Sequence, residues 1–239
     1  MNNLHEMEMR IVPSGCDKNA ELKMSAVMDL FMDQAMLHAE ELKVGISEFW
    51  PRNLFWVATK SKYRINRKIK LSETVKITTW PEEPGNFKCI RYYEMTGEGG
   101  VLVQGKTEWV VVNTEGFKPI KAKDVFPQID FYDKKVMEEG FERIRDVDFE
   151  EEIGKYTVRS VDIDYGKHMN NVAYIRAIEG LFTSEEWEKA GYSEIEIQYR
   201  ESAYEGDTLT FYRKYENDKL VIKGMSDKGD IIVFAILGK

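Results

Sequence analysis

The sequence predicts an α+β protein made of two copies of one unit, each an antiparallel sheet wrapped around a long helix. Three observations carry that expectation. A long amphipathic segment followed by a series of alternating, strand-like runs occurs twice along the chain. The halves also echo each other in residues: Tyr63-Arg64 leads to Glu73-Thr74-Val75-Lys76-Ile77, and Tyr199-Arg200 leads to Asp207-Thr208-Leu209-Thr210-Phe211. With 239 residues, 43% of them hydrophobic, the chain is long enough to close two small cores.

In the first half, apolar residues at helical spacing predict a helix over 23–42, and Ser47-Glu48-Phe49-Trp50 predicts a short helical turn. Strands are expected over 55–64, 73–80, 87–95 and 101–112. The second half repeats the order, with a helix over 170–182 and a short helix over 183–190. Thr183 and Glu186 of that short helix have the spacing of a capping box. Strands follow over 194–199, 207–215, 219–225 and 231–237. The turns between them carry Gly97, Gly99 and Gly100, then Asn217-Asp218, then Asp227-Lys228-Gly229. The stretch 114–154 holds Pro119, Pro127 and a charge-rich run, which reads as a connection with a short helix over 134–145. The expected organisation is an N-terminal unit over 1–125, a linker over 126–152 and a C-terminal unit over 153–239.

Charge and composition exclude several functions. A net charge of −8 lacks the Lys and Arg surplus that phosphate contacts demand, so nucleic acid is not an expected partner. The longest apolar run, 231–237, is far too short to span a bilayer, and the N-terminal residues lack the basic and apolar regions of an export signal. Cys16 and Cys89 follow no metal-ligand spacing and read as free thiols in a reducing compartment, so the cytoplasm is the expected location.

Chemistry concentrates in Asp162-Ile163-Asp164-Tyr165-Gly166-Lys167-His168-Met169-Asn170-Asn171, just before the second long helix. Gly166 argues for a loop with the helix beginning near Met169 or Asn170. A carboxylate there can activate a water or attack an acyl carbon, and the histidine can donate a hydrogen bond or a proton. The first free N–H groups of the helix can stabilise an oxyanion. Those are the parts of an acyl-transfer or hydrolysis site. Spacing alone leaves a second assignment open, in which Asp162 and Asp164 cap the helix and His168 satisfies a buried backbone group. Asp-x-Asp-x-x-x-His could also hold a metal, but the other histidines, His5 and His38, lie in the other half, and no metal is expected.

Asp162-Ile163-Asp164 with His168-Met169-Asn170-Asn171-Val172 and Tyr174-Ile175 resembles the signature of hotdog-fold thioesterases, and is most similar to the acyl-ACP thioesterases of plants and bacteria. Arg159-Ser160-Val161 and the stretch from Tyr199 to Asp207 extend the resemblance, which covers most of the chain. It implies two tandem hotdog units that hydrolyse fatty acyl thioesters on acyl carrier protein, ending fatty acid synthesis, with no cofactor. Asp164 and His168 match the family's catalytic aspartate and histidine. The family has an asparagine two residues after that aspartate where this chain has Gly166; Asn170, Asn171 or a backbone N–H are the expected substitutes. The family's further catalytic glutamate falls at Glu201 on chemistry or Ser202 on alignment. Neighbours on a strand face opposite sides, so one of the two should point into the site.

Met24, Met28, Met32 and Met36 recur every four residues on the first helix, which suits either core packing or an adaptable acyl tunnel. The resemblance places the tunnel in the first unit, with Met28 and Met32 as substrate-binding candidates. Lys60, Lys62 and Arg64 alternate on a strand and open a basic run that also includes Arg67, Lys68 and Lys70, a docking surface for an acidic carrier protein or a solvated strand face. Rival functions are an acyl-CoA thioesterase and a non-catalytic acyl-binding module. Two hotdog units in one chain can pair internally as a monomer, and a homodimer is equally open.

Overall fold

The computed structural model describes residues 3–149 and 151–239. The chain divides into two compact units, Met1–Gly140 and Phe141–Lys239. The first runs β1 (His5–Arg10), α1 (Met24–Glu41), α2 (Ile46–Phe49), β2 (Leu54–Ile65), β3 (Thr74–Pro81), β4 (Lys88–Gly97), β5 (Gly100–Asn113), β6 (Lys118–Ile120) and α3 (Ala122–Val125). The second runs β7 (Glu151–Thr157), α4 (Asn171–Glu179), α5 (Ser184–Ala190), β8 (Glu194–Tyr199), β9 (Thr208–Glu216), β10 (Lys219–Ser226) and β11 (Ile231–Gly238).

Strand order in the first unit is β1-β3-β4-β5-β2, with β6 added beside β5. The second unit gives β7-β9-β10-β11-β8, the same order with every pair antiparallel. The repeat read from Tyr63-Arg64 and Tyr199-Arg200 is therefore a repeat of topology. Each unit also has an opening strand, β1 or β7, that sequence reasoning missed. Both are short, and His5-Glu6-Met7-Glu8-Met9-Arg10 alternates with too few apolar residues to stand out.

The long helices supply the apolar face around which each sheet closes. Met24, Val27, Met28, Phe31, Ala35 and Ala39 of α1 are buried, and Phe31 stacks on Tyr93 of β4 with ring centroids 5.0 Å apart. In α4, Val172, Ala173, Tyr174, Ile175, Ala177 and Ile178 are buried, and Asn170 caps the helix by accepting from Val172 N at 2.8 Å. Helix α5 forms the predicted capping box between Thr183 and Glu186 and ends at Gly191, whose φ of 65° is a left-handed cap that glycine adopts without strain.

The stretch read as a linker holds no helix over 134–145. Its backbone carbonyls serve side chains from the sheets instead of its own i+4 amides. In the first unit Trp80 Nε1 donates to Lys134 O at 2.7 Å and Lys106 Nζ to Met137 O at 2.6 Å. In the second, Gln198 Nε2 donates to Glu142 O at 2.7 Å and Lys214 Nζ to Val147 O at 3.2 Å. Phe126, Ile129, Val136 and Met137 pack on the first unit, and Phe149 meets Phe234 in the second. Gly140 and the loss of carbonyls to other donors defeat helix formation here. No helix among the described residues is long and apolar enough to cross a membrane.

Candidate active site

The loop between β7 and α4 is built twice in the chain. In the second unit, Val158 N–H donates to Asp207 O at 2.9 Å, Gly206 N–H to Val158 O at 3.0 Å and Met169 N–H to Ala203 O at 2.8 Å. In the first, Ile11 N–H donates to Glu73 O at 2.9 Å, Ser72 N–H to Ile11 O at 3.0 Å and Leu22 N–H to Ile69 O at 2.7 Å. Each loop is closed by an isolated bridge, Ile163 with Met169 and Cys16 with Leu22. Lys167 and its counterpart Ala20 both take the left-handed region, with φ of 63° and 57°. In this register Asp164 corresponds to Asp17, His168 to Glu21 and Ser202 to Lys68.

The two carboxylates of the motif have different jobs. Asp162 is buried, and its Oδ2 accepts from Tyr156 Oη and Arg159 N, both at 2.8 Å; its carbonyl accepts from Asn170 N at 2.7 Å. It closes the 3-10 turn Ser160–Asp162 and sets the start of α4. Burial, then the Asp162 carboxylate, push the Tyr156 phenol up to about 12, so it stays a donor.

Asp164 is half-exposed and held at both oxygens: Gly166 N–H donates to Oδ1 at 2.7 Å and Asn170 Nδ2 to Oδ2 at 3.3 Å. Gly166 thus gives Asp164 a backbone donor, and Asn170 gives it a side-chain amide donor. The Asp164 backbone N–H donates to His168 O at 3.2 Å. His168 is half-buried with Nδ1 3.3 Å from Met169 O; a carbonyl only accepts, which assigns the neutral ring's proton to Nδ1.

The oxyanion expectation narrows. Asn170 takes the Val172 N–H through its side chain and the Ala173 N–H through its carbonyl, at 2.8 and 2.9 Å, which leaves the Asn171 N–H. Asn171, at the first helical position, accepts from Tyr199 Oη at its carbonyl, 3.3 Å away.

Glu201 and Ser202 lie past the end of β8, in the loop leading to β9, and both are exposed. The strand argument that would point only one of them inward does not apply there. What anchors this loop is Ala203, whose carbonyl takes Met169 N–H and whose N–H donates to the Tyr174 hydroxyl at 3.1 Å. Burial above all pushes the Tyr174 phenol up to about 12. Sequence reasoning missed this tie, although a tyrosine on the buried face of a helix needs a polar partner for its hydroxyl, and that need was a usable signal.

In the first unit, Met28 is fully buried in the core and Met32 is half-buried. A cavity of about 30 Å³ is lined by Met36, not by Met28 or Met32, together with residues of β2, β4 and β5. Helix α1 turns Met28 onto the sheet, which leaves the stripe's last member to line the space. Lys62 is buried, and Lys62 and Arg64 are both drawn to Glu139. The solvated reading of the basic face is corrected at Lys62, which is buried with Glu139 beside it, while Lys60 and Arg64 keep partial exposure.

A repeated unit of helix and antiparallel sheet, with an aspartate, histidine and asparagine on the loop entering the second helix, defines a tandem hotdog protein. The fold is also that of solved structures. An acyl-ACP thioesterase from Bacteroides thetaiotaomicron superposes with a TM-score of 0.87 at 19% identity, over 99% of this chain and 97% of that one. The 12:0-ACP thioesterase from Umbellularia californica gives 0.82 at 18% identity, over 99% and 97%. Residues 2–129 match the acyl-ACP thioesterase N-terminal domain and residues 146–232 the acyl-ACP thioesterase C-terminal domain. The chain belongs to the acyl-ACP thioesterase family. Among curated relatives, a chloroplastic acyl-[acyl-carrier-protein] hydrolase of Cuphea viscosissima is 24% identical over 78% of this chain and 48% of its own length. The chloroplastic palmitoyl-acyl carrier protein thioesterase of Cuphea hookeriana is 27% identical over 78% and 48%. The chain spans about half the length of the curated relatives it matches.

Proposed function

We propose that the protein hydrolyses fatty acyl thioesters carried on acyl carrier protein, releasing free fatty acid. The observation that carries the reading is the Asp164 carboxylate, half-exposed and aimed by Gly166 N–H and Asn170 Nδ2, in a chain of this family. Asp164 acts on the thioester carbonyl as general base toward water or as nucleophile; both roles need an oriented carboxylate, and two donors orient it. With Nδ1–H turned to Met169 O, His168 offers Nε2 to the reacting groups, as acceptor when neutral and donor when protonated. Hydrolysis breaks the C–S bond, and the proton from water ends on the departing thiol.

Ser202, rather than Glu201, is the third site residue in this proposal. Its counterpart Lys68 reaches Glu21, the counterpart of His168, at 2.7 Å, so the repeat supports a side chain at that position turned toward the histidine. Carrier docking in this reading rests on Lys60 and Arg64. Two free thiols, Cys16 and Cys89, support a reducing compartment such as the cytoplasm.

The test is release of free fatty acid by the purified protein from acyl-ACP and acyl-CoA thioesters of graded chain length. Turnover favouring acyl-ACP is the expected result. Acyl binding without turnover on any member would replace this reading with a non-catalytic acyl-binding module.

A further inference from the structure

The repeated loop shows, within one chain, which side chains the fold itself requires. In the register of the shared backbone bonds, which runs without gaps, Tyr165 corresponds to Lys18 and Tyr204 to Lys70. All four residues are exposed, Tyr165 at 50% and Tyr204 at 54%. The same scaffold therefore closes with a lysine at either position, and packing demands neither ring. Of the two units, the one that holds Asp164 and His168 places aromatic rings there.

Both rings border the candidate site. Tyr165 follows Asp164 directly, inside the turn closed by Gly166 N–H on Asp164 Oδ1 at 2.7 Å and by Lys167 N–H on Asp164 O at 2.9 Å. Tyr204 lies two residues beyond Ser202, and its N–H donates to Asp207 Oδ2 at 2.8 Å. The bond from Met169 N–H to Ala203 O at 2.8 Å joins the two loops. Burial above all pushes the Tyr174 phenol up to about 12, and Tyr204, Asp164 and Asp207 raise it further, which gathers those three side chains around one hydroxyl. The backbone under each ring is fixed before any ligand arrives, which lowers the ordering cost of binding.

A thioester has two halves, and the surroundings of the rings distinguish them. The acyl half is a hydrocarbon chain that gains by leaving water altogether, which half-exposed tyrosines do not offer. The thiol half, common to thioesters of carrier protein and of coenzyme A, ends in a pantetheine arm, a neutral chain of methylenes, two amides and a gem-dimethyl carbon. A tyrosine has an apolar face and a polar tip, which suits an amphiphilic and partly hydrated chain. The phosphate beyond the arm and the acidic surface of a carrier protein would both favour the lysines that the first unit keeps. Neutral rings in their place match the neutral stretch of the arm. We propose that Tyr165 and Tyr204 form the surface on which the pantetheine arm of the substrate lies, on the leaving-thiol side of Asp164, with the thioesterase reading above supplying the identity of that substrate.

The test uses the full chain and two thioesters of one acyl group, S-octanoylpantetheine and S-octanoyl-2-mercaptoethanol, which differ in the arm. S-methylpantetheine, which has no acyl group to lose, reports binding by calorimetry. Changing Tyr165 and Tyr204 together to lysine shrinks the kcat/KM preference for the pantetheine thioester about tenfold or more and weakens S-methylpantetheine by a similar factor. Tyr204→Ser alone gives a smaller loss in the same direction, which keeps the idea testable where the double variant fails to fold. Equal losses on both thioesters, an unchanged preference, or S-methylpantetheine binding that is the same in parent and variants overturns the proposal. Turnover of both thioesters with the preference intact leaves the thioesterase reading standing without the arm surface. No turnover of either, with S-methylpantetheine binding weakened in the variants, counts against the thioesterase reading and supports the arm surface.

Discussion

Replacing Asp162 and Asp164 by alanine, one at a time, separates stability from chemistry within one motif. Asp162 accepts two hydrogen bonds at 2.8 Å from inside a buried turn, from Tyr156 Oη and Arg159 N. Bonds to a charged acceptor contribute about 1.5–3 kcal/mol each, and the half-buried Tyr156 hydroxyl recovers water, so the loss comes to about 2–4 kcal/mol. For a chain of this length that lowers Tm by on the order of 10 °C. Asp164 is half-exposed, and its partners Gly166 N–H and Asn170 Nδ2 can rehydrate, so Asp164→Ala costs within about 1 kcal/mol. Its effect falls on turnover, which drops by about a hundredfold or more when the acid–base group is removed. Thermal unfolding and fatty-acid release measured on both variants check this. Asp162→Ala melting within about 2 °C of the parent, or Asp164→Ala keeping more than about a tenth of the activity, would refute the division of roles.

Tyr174→Phe leaves the buried Ala203 N–H without its acceptor and costs about 1–3 kcal/mol, with kcat falling because the loop next to His168 loosens; unchanged thermal unfolding counts against the tie. Ser202→Ala lowers kcat/KM more than Glu201→Ala does, and the reverse order in steady-state assays reassigns the third position. Reversing the charge at Lys60 and Arg64 raises KM for acyl-ACP and spares acyl-CoA; equal effects on both discard the docking role. The hydrogen bond from Arg67 holds the Glu73 carboxyl below its ordinary 4.5. The unfolded chain therefore takes up that proton first as pH falls, so the contribution is full above 4.5 and is lost as pH drops through the folded value. Urea unfolding across that range shows a shallower acid limb for Glu73→Gln, and an unchanged limb removes Glu73 from the account.

The sequence by itself determined the α+β class, the duplicated order of helix and strands, the ends of α1, β8 and α5 within a residue or so, and the loop holding Asp164 and His168. Those are local properties: apolar period, capping residues and turn chemistry act over a few positions and are written in the chain. Only the tertiary structure decided which carboxylate is spent on the fold, because Asp162 and Asp164 differ in partners and not in spacing. It also decided that 134–145 stays extended and that Lys62 is buried, since those outcomes depend on donors from distant strands and on the segment that covers them. The burial of Arg91 was equally invisible in the chain, where an arginine on a strand reads as a solvated charge. It appears only when α1 closes over the sheet and brings His38 Nδ1 to 3.0 Å from the guanidinium.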